Sequence, residues 1–235
     1  MLAWPSMIAV GVLAAVHLLV GFVLPNVGPR QQKWFSLAGG IAVAYVFVHV
    51  LPDLSEHQAA WLEQRPDRPW LWFQHQIYVG ALGGLLLAYG LDQISRDDDI
   101  VRFWVRIASF SLYNTLVGYY VVQIQQPVAI VLATIGLGAH FLSNDRELLR
   151  EGAELYQGAG RLVLAASVIV GGLLGRVMDL PEPVLSVAFA VLAGGIILHA
   201  LNEEVPRESD GRFGYFAFGA IAFTVLILAF EGFKH

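Results

Sequence analysis

Eight apolar runs, each near the ~20 residues a helix needs to cross a hydrocarbon layer, constrain this chain more than anything else in it. They cover residues 7–24, 35–51, 73–91, 100–122, 127–142, 161–178, 183–201 and 213–230, and Pro, Gly or clustered charges end each one. Hydrophobic residues make up 57% of the 235, charged residues 14%, and the mean hydropathy is +0.61. Soluble domains carry roughly 45–50% apolar residues, so a single aqueous core cannot hide this much apolar surface. The expected fold is therefore all-α: one polytopic membrane helical bundle over residues 1–235, with about eight transmembrane helices and the lipid bilayer as its solvent.

The first run lacks a basic leading segment and a small-x-small cleavage site, which marks it as a retained span. With no cysteine, the chain has no disulfide, thiolate metal site, iron–sulfur cluster or cysteine catalysis. The net charge of −5 is spread over loops, and no Lys/Arg run points to nucleic acid. The longest loop, 53–72, is amphipathic and carries Trp61, Trp70 and Trp72, so it is expected at the membrane surface.

Orientation follows from the basic residues. Arg30, Lys33, Arg96, Arg102, Arg146, Arg150, Arg161, Arg207 and Arg212 fall in the odd-numbered loops, against Arg65, Arg68, Arg176 and Lys234 on the other side. Positive charge concentrates on the cytoplasmic side, which predicts a multi-pass protein of the cell membrane with both termini outside.

Ala38-Gly39-Gly40-Ile41 in the second run recurs as Ala193-Gly194-Gly195-Ile196 in the seventh. Runs five apart point in opposite directions, so a true repeat is an inverted one, the symmetry many transporters use. Chance recurrence in Gly-rich helices is the alternative.

Ionisable groups inside apolar runs need partners or water. His49, Asp53 and His57, spaced four apart, share one face if a helix continues past Pro52, and two imidazoles with a carboxylate suit zinc or a similar divalent ion. The plainer reading is interfacial hydrogen bonding. A second set joins His140, Asn144 and Asp145 on the fifth run with His199, Asn202 and Glu203 on the seventh. His140 and His199 lie about 13 and 16 residues from the outer ends of their runs, roughly 5 Å apart in depth. They share an ion only if those helices face each other. Capping by Asn144 or Asp145 of the amphipathic stretch 146–156, and a Glu203–Arg207 pair, are the alternatives. Third comes a polar stripe, Ser111, Asn114, Thr115, Gly118 and Tyr119, which either bonds a neighbouring helix or lines a pathway. His17 either bonds a neighbour or, with a second histidine, ligates haem. Both lysines lie outside the runs, which removes a retinal Schiff base, and no P-loop or intramembrane protease motif is present, so no enzyme is expected.

This pattern resembles the ZIP (zinc/iron permease) family of divalent-metal transporters. The resemblance rests on eight runs, on a second run reading Ala38-Gly39-Gly40 through His49-Val50-Leu51-Pro52-Asp53, and on a seventh that ends in an acidic turn before Pro206. It implies an inverted 3+2+3 arrangement and a metal site on the fourth and fifth spans. Where that family carries His-Asn-x-Pro-Glu-Gly and His-Glu-x-x-Glu-Gly, this chain reads Tyr113-Asn114-Thr115-Leu116-Val117-Gly118 and His140-Phe141-Leu142-Ser143-Asn144-Asp145. Carried across, Asn114 and His140 are the midplane ligands, aided by Asn144 or Asp145, while Val117 and Phe141 stand where carboxylates are expected. The resemblance thus implies divalent-cation transport through a reduced site, with a metal ion, lipid and a second copy of the chain as partners and no organic cofactor. A non-transporting descendant, acting as sensor, lipid-binding protein or partner subunit, is the alternative.

Overall fold

A computed structural model of the protein describes residues 3–23, 29–63, 75–94, 99–203 and 213–232. These residues are almost wholly helical, and no strand occurs among them. The helices are α1 (Ala3–Val23), α2 (Pro29–Tyr45), α3 (Leu51–Glu63), α4 (Gln76–Ile94), α5 (Asp99–Gln123), α6 (Pro127–Leu155), α7 (Arg161–Val177), α8 (Glu182–Glu203) and α9 (Phe213–Gly232). A π-helical turn, Val46–Val50, joins α2 to α3, and another, Tyr156–Gly160, joins α6 to α7. Stretches long and apolar enough to cross a bilayer are Trp4–Phe22, Lys33–Glu56, Pro127–Val177 and Phe213–Phe230, with shorter apolar helices at Gln76–Leu91 and Pro183–His199.

The run from 127 to 177 would be about 76 Å long if straight, far beyond a hydrocarbon core of about 30 Å. It is not straight. Gly152 takes an extended backbone (φ −158, ψ 68) inside it. Contacts on either side show the chain doubling back: Arg106 pairs with Glu151 and Tyr113 stacks on His140, so α6 runs antiparallel to α5. By contrast, Asn114 bonds Leu164 O and Tyr119 bonds Met178 O, so α7 runs parallel to α5.

The other pairs extend the same logic. Lys33 lies over the Tyr215 ring and Tyr45 meets Phe223, which makes α2 and α9 parallel. Gly80 faces Ala190 and Gly84 faces Val191, which makes α4 and α8 parallel. Gly138 meets Leu13 and Asp145 meets His17, which makes α1 and α6 parallel. Phe110 touches His199 and Tyr120 touches Phe189, so α8 opposes α5. Taken in chain order, with α3 continuing α2, the helices alternate in direction.

Glycine sets the closeness of these pairs. A Cβ on Gly171 would stand 1.9 Å from Thr115 O, and one on Gly194 would stand 1.8 Å from Ala81 O, so α7 and α8 reach their partners backbone to backbone. The polar stripe on α5 serves this packing. Ser111 and Thr115 hydroxyls donate back to Ile107 O and Ser111 O, while Gln123 reaches Gly175 O on α7.

Two boundaries differ from those expected of the sequence. The helix persists past Pro52 to Glu63, into the stretch expected to be a surface loop; Pro52 follows directly on the π-helical turn Val46–Val50, where the hydrogen-bond register already departs from the i−4 ladder that a proline cannot join. The amphipathic stretch after 142 belongs to α6 itself, whose N-cap is Gln126. Asn144 and Asp145 therefore sit inside the helix, both at 0% exposure, and cap nothing.

Candidate functional site

The most deeply buried polar cluster joins α1, α5, α6 and the Tyr156–Gly160 turn. His17, Asn114, Asn144 and Asp145 are each at 0% exposure. His17 Nδ1 lies 2.9 and 2.8 Å from the two carboxylate oxygens of Asp145, and its Nε2 lies 2.9 Å from Asn114 Nδ2. One assignment satisfies all three contacts: Nδ1–H donates to Asp145, and Nε2 accepts from the Asn114 amide. The Tyr156 hydroxyl donates to His17 O at 3.0 Å, tying the connecting turn to α1. With both ring nitrogens engaged within the protein, His17 takes the neighbour-bonded role and has no lone pair facing a haem iron.

The sequence groups Asp145 with His140 and leaves His17 alone. The observed pairing spans 128 positions, so no local spacing rule finds it. The usable signal is that each is an ionisable group in an apolar run with no local partner.

Beside this network, α6 and α8 face one another. His140 (3% exposed) and His199 meet at 5.5 Å between ring centroids, with rings perpendicular. Tyr113 packs edge-on against His140 from α5, at 5.3 Å, and Phe110 does the same to His199. His140 Nδ1, the Tyr113 hydroxyl and both amide atoms of Asn144 have no hydrogen-bond partner among the described residues. Buried polar atoms left this way cost about 1–3 kcal/mol each.

A cavity of about 270 Å³ opens beside the two histidines. Leu87, Leu112, Leu116 and Ile196 line much of it, with His140 and His199 at one wall and Arg106 at another. Arg106 is paired with Glu151.

The remaining candidates lie elsewhere. His49 is buried in the π turn, its ring 5.4 Å from that of Tyr45, and Asp53 is half-exposed in the first turn of α3. The side chains of His57 and Glu203, like Asn202, lie outside the described residues, as do Arg207 and the loop from 64 to 74. Val117 and Phe141, at the positions where the resemblance expects carboxylates, are buried at 2% and 0%. Asn114 gives its amide to His17 and to Leu164 O, and its Oδ1 has no hydrogen-bond partner among the described residues. Among those same residues no three His, Asp or Glu side chains converge. The chain matches no model of a known protein family and no curated protein.

Proposed function

We propose that this chain crosses the cell membrane eight times, with both termini outside, and handles a divalent cation as a divergent relative of the ZIP permeases, through His140 and His199. The observation that carries this reading is the perpendicular approach of those two imidazoles across the α6–α8 contact, 5.5 Å apart. Neutral imidazoles suit zinc and its neighbours in the transition series. Asn144, one turn along α6 from His140, offers an amide oxygen with no other partner among the described residues, and Glu203 stands four residues past His199 in the chain. Asn114 lies next to this group with an unpartnered Oδ1 of its own. The outer trio His49, Asp53 and His57 is a second, weaker site on the continuous α2–α3 run.

Two features support the architecture. An inverted repeat that relates α1 to α7, α2 to α8, α4 to α9 and α5 to α6 maps the α4–α8 pair onto α9–α2 and the α1–α6 pair onto α7–α5. All four pairs are in contact, and each is parallel. Lys33, Arg102, Arg146, Arg150 and Arg161 gather at the end where α1 and α6 finish and α2, α5 and α7 begin, which supports a cytoplasmic assignment for that end.

Zinc X-ray absorption on the purified protein tests the site. Two imidazole ligands are expected, with one lost in His140→Ala and one in His199→Ala; a signal with no imidazole contribution would end the reading. One observation favours the alternative of a non-transporting sensor, lipid-binding protein or partner subunit. Asp145, a fully buried carboxylate near the histidines, is already committed to His17.

A further inference from the structure

We propose that Arg161, where α1, the Tyr156–Gly160 turn and α7 meet, anchors a binding site for the phosphate of an anionic phospholipid. The inference rests on the membrane-spanning reading and not on the cation reading.

Arg161 opens α7, and the residues that follow it, Leu162, Val163 and Leu164, are apolar. Its surroundings face outward. Phe22, near the end of α1, is 68% exposed, and Leu162 is 55% exposed. In a helix bundle within a bilayer such side chains meet lipid. The guanidinium therefore stands at the lipid-facing perimeter, where a long basic side chain at a helix end carries its head to the headgroup layer.

No acid neutralises this cation. At the same end of the bundle Arg102 pairs with Asp99, Arg106 with Glu151 and Arg150 with Glu147. Arg161 makes no ion pair and no hydrogen bond among the described residues, and its Nε is covered without a partner. Its guanidinium carbon lies 4.7 Å from the centre of the Phe22 ring. That contact eases the charge but takes up none of the N–H donors.

An uncompensated cation with donors in a planar fork is the complement of a phosphodiester, which accepts two such N–H groups at once. Lipid is the source at hand, because the rim beside the guanidinium is surface that lipid chains cover. Net charge then chooses among lipids. With no carboxylate beside it, Arg161 favours a head of net negative charge over a zwitterionic one, whose ammonium it repels. The adjoining turn is unobstructed, since a Cβ on Gly158 would meet nothing within 4 Å.

Native mass spectrometry of the full chain in detergent micelles, titrated with phosphatidylglycerol or phosphatidylcholine, tests the site. The first phosphatidylglycerol is expected to bind about fivefold more tightly than the first phosphatidylcholine, the preference due to one basic group at an anionic surface. The preference should vanish in Arg161→Gln and fall only in part in Arg161→Lys, which keeps the charge. It should persist in Arg176→Gln, which removes a cation from the last turn of α7. Equal binding of the two lipids by the wild type would overturn the site, however the variants fold. An undiminished preference in a folded Arg161→Gln would do the same and leave Arg161 as a packing contact with Phe22. Excess inorganic phosphate should not displace the lipid; displacement would make the occupant a free anion and end the lipid assignment. Retention of neither lipid would count against the membrane-spanning reading as well. Arg161 is no ligand in the cation reading, so zinc absorption should be unchanged in Arg161→Gln, and the two failures are separate results.

Discussion

Replacing His17 by leucine keeps roughly the volume of the side chain but removes the one imidazole N–H, on Nδ1, that lies 2.9 and 2.8 Å from the two carboxylate oxygens of Asp145. Two magnitudes compete. A neutral hydrogen bond between membrane helices contributes about 0.6 kcal/mol on average, whereas stripping the partner from a buried charge costs about 3–5 kcal/mol. Both residues are at 0% exposure, which favours the larger figure, but the Tyr156 hydroxyl also reaches the Asp145 carboxyl, so its lower end applies. Asn114 loses its bond to Nε2 but keeps the longer one to Leu164 O at 3.4 Å, a minor addition. His17→Leu should therefore lose about 3 kcal/mol, somewhat over a hundredfold in the unfolding equilibrium. The double variant His17→Leu/Asp145→Leu removes the stranded carboxylate as well. It should return to wild-type stability or exceed it, as apolar replacements of buried polar pairs often do. Reversible unfolding of the four proteins in mixed micelles with increasing dodecyl sulfate measures the cycle. A single variant within about 1 kcal/mol of wild type, or a double variant whose losses simply add, would show that the pair is hydrated and that the buried network is misread.

Gly171→Ala should lose about 1–3 kcal/mol in the same assay by forcing α7 away from Thr115 O, while Gly83→Ala, whose Cβ meets nothing within 4 Å, should match or exceed wild type. In intact cells an impermeant thiol reagent should label Asp179→Cys, between α7 and α8, and spare Asp99→Cys, at the start of α5; the chain has no other cysteine, and the reverse pattern would invert the topology.

Apolar run length, with proline and glycine at the boundaries, makes the helical class readable from the residues alone, since both follow from local chemistry. Boundaries are less legible. The stretch after Leu142 reads as a separate surface helix because Asn144, Asp145 and Arg146 interrupt the hydropathy. In the fold the first two are fully buried, Asp145 against His17, and Arg146 lies over the Phe35 ring. Residue counting puts His140 and His199 at similar depth, but which faces the two helices present to each other depends on packing. The Gly84 and Gly194 contacts bring α8 onto α4, and His140 and Phe110 meet His199 from α6 and α5. The cavity beside the histidines has no sequence signal at all, because it arises where the consecutive helices α4 and α5 meet only sparsely.

Zinc uptake into proteoliposomes holding the purified protein tests the cation reading most directly. Uptake above empty vesicles, falling at least tenfold in both His140→Ala and His199→Ala, is the predicted result. Uptake equal to empty vesicles, or uptake indifferent to both histidines, would contradict it.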